Sequence, residues 1–582
     1  MTIPRPEYPR PILVRDQWLN LNGPWSYRAD PEDAGLASGW HNALPMDAKE
    51  IQVPFPIESE ASGIHDLEPP PVNWYARSFE IPPDWIGHVM LRFGAVDHAC
   101  RVFINGQQVG DHRGGYTPFG FDITHALKPG DNEITLRVED SLSWTQPRGK
   151  QAGTTRWPID YDSVTGIWQT VWLEPVPPAH IDSTAFAYDA STATLTLTVG
   201  FNRQVDGTVS ASVLDDGKVI ADASAETGLR AESRLTLEIP APRPWSPADP
   251  FLYDIDLRLT HADGGQDDCR SYTGLREVSW QDGTLRLNGE PLYLRGVLDQ
   301  GYFPKGWYTA PTDDDLRADV ELTLAMGLNC ARKHQKAEDP RYLYWADRLG
   351  LLVWAEMPSG KIFSTELIET VTHEWTALVK RDRAHPSIIT WVPFNESWGV
   401  WHQASRPAQR AFVDSVTRLT QALDPSRPVV GNDGWEYSDG DLWTLHLYDV
   451  GEALASRIDD LLANPTGLVT GEGSPHPRAG ALPGANPAHL PILLTECGGV
   501  GFGRYSDADF SYGDLPADED ELEAAIRRTA GVLASAAQLQ GFVWTQLTDI
   551  QQEINGLLYF DRSPKLPLSV LKEIFTGIPG RT

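Results

Sequence analysis

The strongest constraint on the fold is a change of pattern near residue 276 of the 582-residue chain. Before it, short runs rich in Val, Ile, Phe and Trp are separated by turn signals such as Asn105-Gly106 and Pro129-Gly130-Asp131, the mark of antiparallel β-structure. After it, uniformly apolar runs alternate with stretches of helical periodicity. A parallel sheet covered by helices requires that pattern, because its strands are buried on both faces. A chain of this length exceeds one core. It is read as a jelly-roll β-sandwich over 1–178, an immunoglobulin-like β-sandwich over 179–275 and a (β/α)8 TIM barrel over 276–582.

Within the first unit, 102–109 reads as a hairpin turning at Asn105-Gly106, and 132–138 alternates as a half-buried strand should. Strand patterns recur at 193–199, 234–239 and 253–259, with Pro-rich stretches marking a linker at 175–178 and a turn at 240–244. Barrel strands are expected at 292–296, 329–332, 351–354, 388–392, 428–430, 443–446, 492–495 and 542–544, and helices at 313–326, 340–349, 366–382, 519–540 and 568–575. The long connections 463–490 and 499–518 flank the seventh strand, where they could roof a site at the barrel mouth.

Composition removes several function classes. The formal net charge of −32 repels nucleic acid and anionic membranes, and no apolar run reaches the roughly 18 residues of a membrane span. The expected partner is a neutral carbohydrate substrate, with no nucleic acid and no membrane; a homo-oligomer is left open. Cys100, Cys269, Cys330 and Cys497 are far apart and lack C-x-x-C spacing, so they read as buried thiols. No apolar stretch of secretory type opens the sequence, which points to a cytoplasmic location. Neither a metal nor a cofactor is expected.

Two strand ends carry the chemistry. The run 385–399 ends its apolar part in Asn395-Glu396, and the run 490–499 places Glu496 directly after an apolar strand. Catalytic groups of a TIM barrel sit at such ends. A lone glutamate there is more often a helix cap or a salt-bridge partner, but two, on the fourth and seventh strands, suit glycoside cleavage. That reaction needs paired carboxyls, about 5–5.5 Å apart when configuration is retained.

With these motifs the sequence resembles glycoside hydrolase family 2 over almost its whole length. The resemblance rests on Asn395-Glu396, on 492–498, on the sandwich segments 73–79, 102–110, 115–123 and 165–173, and on the junction 288–296. It implies a retaining exo-glycosidase with Glu396 as general acid/base and Glu496 as nucleophile. Asn395 resembles the residue that binds the sugar 2-hydroxyl, and Trp544 resembles the aromatic platform under a sugar ring. Arg332 and Tyr448 are candidates to hold Glu496 ionised, and His334 should reach the same sugar. His446 and Tyr448, at the sixth strand end, suit a structural role nearly as well as a catalytic one. For the loop segment 147–151 of the first domain a surface position is the first expectation and a reach to the barrel mouth the alternative.

Departures from the family limit the substrate. The glucuronidases carry an Asn-Lys pair after the eighth strand, whereas Asn555 here precedes Gly556, and Arg562 and Lys565 lie further on. A counterpart of the extra C-terminal domains of the large metal-dependent galactosidases is not expected. β-Galactosidase is therefore the leading expectation, followed by β-galactofuranosidase or α-L-arabinofuranosidase, and then β-glucuronidase. Transglycosylation through the same intermediate and a non-catalytic carbohydrate-binding protein are the other readings.

Overall fold

The structure, a computed structural model, describes residues 3–153, 156–470, 477–503, 509–513 and 515–578. The first unit is a sandwich of two antiparallel sheets. One has six strands in the order Lys49–Val53, Gly23–Ala29, Val72–Phe79, Asn132–Glu139, Ala99–Ile104, Gln107–Arg113; the other has four, Leu19–Asn20, Val171–Val176, His88–Phe93, Phe119–Asp122. Asn105 and Gly106 both take positive φ (50° and 81°), the geometry that twists a two-residue hairpin correctly. Strand Asn132–Glu139 lies between two partners and is buried along most of its length, so the expected alternation is largely lost.

The second unit packs a three-stranded sheet on a four-stranded one around Leu195, Leu197, Val209, Ile255 and Leu257. Ile12 and Leu13 are buried in this same core, and Val14 bridges Arg270, so the N-terminal segment crosses from the first sandwich to the second. Sequence pattern did not reveal that crossing.

In the TIM barrel, seven parallel strands pair in the order Ile388–Val392, Leu352–Glu356, Cys330–Lys333, Leu294–Asp299, Leu539–Thr545, Ile492–Gly498, Trp443–His446. The expected strand at 428–430 is not a regular one. Val429 and Asp433 make isolated parallel bridges to Trp391 and Asn395, and Gly434 O accepts from His446 N at 3.1 Å, so this irregular segment closes the ring.

The helices begin where their caps dictate. Thr312 and Asp315 form a capping box before Asp313–Ala325, Asp339 with Pro340 starts Pro340–Leu349, Ser364 caps Thr365–Asp382 and Asp518 caps Glu519–Ser535. The last of these stops short of the expected 540, because the strand Leu539–Thr545 starts earlier than its apolar centre suggests. Two helices escaped the sequence reading, Pro407–Leu423 and Glu452–Ala463. Among the described residues no helix is long and apolar enough to cross a membrane.

Candidate active site

The mouth of the barrel is organised by Arg332. Strand Cys330–Lys333 is buried at every position, and its alternation separates Arg332 from Lys333, whose ammonium pairs with Asp299 (2.5 Å) and Glu338 (2.7 Å). A buried guanidinium must have its donors satisfied or the fold loses several kcal/mol. Arg332 meets Glu356 and Asp433 at 2.7 Å, Glu496 at 3.1 Å, the Asn395 side-chain oxygen at 2.6 Å and the Thr495 carbonyl at 3.2 Å. One side chain thus gathers groups from the ends of four other staves of the barrel.

Glu396 leaves its strand in a left-handed turn, with φ of 52° at Glu396 and 58° at Ser397. Such a conformation costs a non-glycine residue on the order of 1–3 kcal/mol and persists only where neighbours hold it. Here Glu396 N donates to Asp433 O (2.9 Å), Ser397 N to Asn432 Oδ1 (2.9 Å) and Ser397 Oγ to Glu436 (2.5 Å). The turn aims the Glu396 carboxyl at His446 Nδ1, 2.8 Å away, while Glu496 accepts from the Tyr448 hydroxyl at 2.7 Å. Ligand atoms of Glu396, His446 and Glu496 all lie within 4.8 Å of one another, so the carboxyl oxygens face each other across the span of a glycosidic bond.

Electrostatics divide the two carboxyls. Burial and the facing Glu496 push Glu396 above the ordinary carboxylate range, against the pull of His446 and Lys150. Burial also acts on Glu496, but His446, Arg332 and the Tyr448 hydrogen bond outweigh it and hold that carboxyl below its usual value. Burial would discharge His446, yet Glu496 and Asp433 hold it protonated, up to about 10. Its Nδ1 then donates to Glu396 and its Nε2 to Asp433 (3.2 Å), leaving no lone pair for a metal ion. The Asp433 carboxylate lies between His446 and Arg332 and keeps the two cations compatible.

Sequence-selected residues fare unequally. Glu396, Glu496, Asn395, Arg332, His334, His446 and Tyr448 converge here. His334 Nδ1 sits 3.0 Å from Glu356, and burial with the nearby Lys150 and Arg332 keeps the ring neutral. Trp544 does not join them. Its ring is 1% exposed and packs on Phe575 of the C-terminal helix and beneath Gly498, because alternation along its strand turns it outward and brings Thr545 inward to the Tyr448 hydroxyl (3.2 Å). It is core, and the expected platform is not formed by it.

The segment 147–151 is not the surface loop first expected but takes the alternative place, buried against the barrel. Arg148 N and Gly149 N donate to Ser359 O, and the Lys150 ammonium stands 3.8 Å from Glu553. Of the long connections, 471–476, 504–508 and 514 lie outside the described residues; in the rest, Tyr512 stacks on Tyr448 at 3.9 Å. Sequence reasoning missed Glu356, Asp433, Trp435, Tyr512 and Glu553. Glu356 lies two residues past the expected strand 351–354 and ends the observed one, Leu352–Glu356, so the strand-end rule could have found it. Asp433 is hidden by the irregular fifth stave, and Trp435, which packs edge-on against His446 at 6.0 Å, carries no local signal.

Two facing glutamates at a barrel mouth, one pushed up and the other held down, suit double displacement at an anomeric carbon, and this arrangement falls within the glycoside hydrolases. The chain belongs to glycosyl hydrolase family 2. Its family models match as the sugar binding domain over 19–177, as glycosyl hydrolases family 2 without a further domain name over 179–276 and as the TIM barrel domain over 278–449. The last match ends before Glu496, so the assignment of that residue rests on geometry.

Among curated relatives, a β-galactosidase of Thermoanaerobacter pseudethanolicus is 30% identical over 62% of this chain and 48% of its own length. The chain thus spans about half of that relative. A β-glucuronidase of Paenibacillus borealis is 26% identical over 72% of this chain and 74% of its own length. The solved β-glucuronidase from Ruminococcus gnavus in complex with D-glucuronic acid superposes with a TM-score of 0.81 at 21% identity, covering 98% of this chain and 100% of that one.

Proposed function

We propose that the protein is a retaining exo-glycosidase that releases a terminal neutral sugar, with β-galactosides as the first substrates to try. The observation that carries this reading is the facing pair Glu396 and Glu496, whose carboxyl oxygens lie within 4.8 Å of each other at a span set by Arg332 and His446, the first pushed up and the second held down. Protonated Glu396 would hand its proton to the leaving oxygen while ionised Glu496 attacks the anomeric carbon. Once Glu496 is esterified its charge no longer raises Glu396, which then takes a proton from water and completes hydrolysis. Asn395, its oxygen committed to Arg332, presents its amide nitrogen as the donor for a sugar hydroxyl.

The neutral-sugar reading is supported by where the cations go. Arg562 is paired with Asp319, Lys565 with Asp549 at 2.6 Å, and Asn555 is bound to Gln546 and Glu553, so none of the three is presented to a uronate carboxylate. The β-glucuronidase names among the relatives favour the second reading, a glucuronide.

A panel of nitrophenyl pyranosides and furanosides of both anomers, glucuronides included, tests both readings with the wild type and Glu496→Ala. Cleavage of one neutral glycoside, lost on the order of 10⁴-fold or more in Glu496→Ala, is the expected result. Preference for the glucuronide would replace the first reading by the second, and undiminished activity of Glu496→Ala would sink both.

A further inference from the structure

A cavity of about 620 Å³ lies where the three units meet, and none of the residues gathered at the barrel mouth lines it. Its floor is the outer face of the four-stranded sheet of the first sandwich. On strand His88–Phe93, Val89 and Leu91 enter the sandwich core, whereas His88, Met90 and Arg92 line the cavity, and Trp172 stands opposite Arg92 on the neighbouring strand. In a lone sandwich such a face would meet water. Here the N-terminal segment, strand Ile181–Asp189 of the second sandwich and helix Thr365–Asp382 of the barrel wall it in, through Arg10, Asp182, Thr184 and Arg381.

In a chain of net charge −32, the lining holds five cations, Arg5, Arg10, Arg92, Lys380 and Arg381, against three carboxylates, Asp122, Asp182 and Asp339. Two of the arginines are fully paired, Arg5 with Glu7 and Asp339, and Arg381 with both oxygens of Asp382. Arg10 and Arg92 are not. They converge on Asp182, Arg10 at its carbonyl and Arg92 at its carboxylate (3.4 Å), while Arg92 Nε donates to Glu174 at 2.6 Å. Arg10 Nη1 and Arg92 Nη2 remain buried without a partner. Gln169 Nε2, Trp172 Nε1 and Thr184 Oγ1 are in the same state, on residues 5%, 3% and 3% exposed, and all five belong to the lining. Burial, reinforced by Arg92 and Arg15, brings His180 of the same wall down to about 4, so that ring is neutral near pH 7.

A buried donor without an acceptor is costly, and four N–H donors beside one hydroxyl call for a ligand rich in acceptor oxygens. Two guanidinium groups make that ligand an anion, because their charge-assisted bonds to phosphate or carboxylate are the strong ones. Among the described residues no lining carboxylate keeps a buried oxygen unpartnered, so the unmet demand is for acceptors and not for a cation. A bare inorganic anion would leave most of the volume empty, whereas the walls from Pro9, Pro11, Phe119, Trp172 and Pro177 suit the C–H face of a sugar ring. We propose that this cavity is a second ligand site, separate from the barrel mouth, which binds a sugar-sized organic anion with its phosphate or carboxylate between Arg10 and Arg92 and its hydroxyls toward Gln169, Trp172 and Thr184. Its walls come from three units, so an occupant holds them together. The site does not depend on the glycosidase reading.

Calorimetric titration of the full chain with glucose 6-phosphate, gluconate and glucose is the test. At least one of the two anions should bind in a single equivalent, about tenfold or more tighter than glucose, and at saturation raise the unfolding midpoint by about 2 °C. Which of them binds decides between phosphate and carboxylate. Arg10→Gln should weaken that binding about tenfold or more, and the gentler Thr184→Val and Trp172→Phe several-fold each, while kcat/KM for the best glycoside of the panel stays within about twofold of wild type. The last two variants keep the test open should Arg10→Gln disturb the N-terminal segment. No saturable binding of either anion at about 10 mM, glucose bound as tightly as the anions, or anion affinity unchanged in all three variants would overturn the site. So would anion binding that Glu496→Ala abolishes and the three variants keep, which would put the anion at the barrel mouth.

Discussion

Arg332 and Tyr448 do for Glu496 what a carboxylate nucleophile needs: they supply a positive charge at 3.1 Å and a hydroxyl donor at 2.7 Å. Tyr448→Phe removes one hydrogen bond to a charged group, so kcat should drop by roughly 10- to 100-fold, and the acid limb of the pH profile should move to higher pH. Arg332→Lys is harsher, because a point charge cannot satisfy Glu356, Asp433 and Glu496 together; thermal unfolding should register a loss of roughly 3–5 kcal/mol. The pH profile itself follows from the two shifts. Glu496 is lowered, so activity is lost only as pH falls through a value below the usual carboxylate pKa; Glu396 is raised, so activity is lost as pH rises through a value above it. Glu396→Gln should abolish that alkaline limb when the leaving group needs no proton, and a limb that persists would assign it to another group.

At the scale of elements, the loop 147–151 brings the first domain into the mouth of the third. Gly149 has φ of 57°, and a Cβ there would lie 2.2 Å from the Gln335 carbonyl. Gly149→Ala should therefore lift the loop and carry Lys150 away from Glu553, lowering kcat/KM by about tenfold or more while the barrel alone stays folded. Near-wild-type kinetics of this variant would mean that the loop only packs. The segment after strand Ile492–Gly498 is the other such device, with Tyr512 stacked on Tyr448. Neither contact follows from local pattern. A loop's sequence states that the chain turns, whereas its docking surface belongs to a different domain, here Ser359 and Gln335.

Across the whole molecule, one buried carboxyl joins the first unit to the barrel and another braces the first unit within itself. Glu374, on the helix Thr365–Asp382, accepts from Tyr116 N of the first sandwich at 3.3 Å, and Glu58 accepts from Thr165 N at 2.9 Å. Burial, against these hydrogen bonds, raises both to about 8, and each keeps one oxygen without a partner, as a neutral acid does. Their folded pKa exceeds the unfolded value, so the folded state binds more protons than the unfolded chain. Stability from this source is complete below about pH 4.5 and declines as pH rises through about 8, at up to about 1.4 kcal/mol per pH unit per group. Thermal melts between pH 5 and 8 should trend downward, and Glu58→Gln with Glu374→Gln should flatten the trend; an unchanged slope in the double variant would place its origin elsewhere.

Sequence by itself determined the order of two sandwiches and a barrel, the strands that end in Glu396 and Glu496, and most helix starts. These are consequences of period and capping, and both act within a dozen residues. Arg332, Asn395 and the residues of the sixth strand end were legible for the same reason, as side chains at the mouth of apolar strands. Only the tertiary structure decided the rest. Trp544 turned outward because strand pairing, not composition, sets which face a residue takes; the irregular stave through Asp433 closed the ring without a strand pattern; and Lys150 of the first domain met Glu553 of the barrel. Such meetings depend on how separately folded units dock, and no local periodicity encodes the position of a side chain relative to another domain.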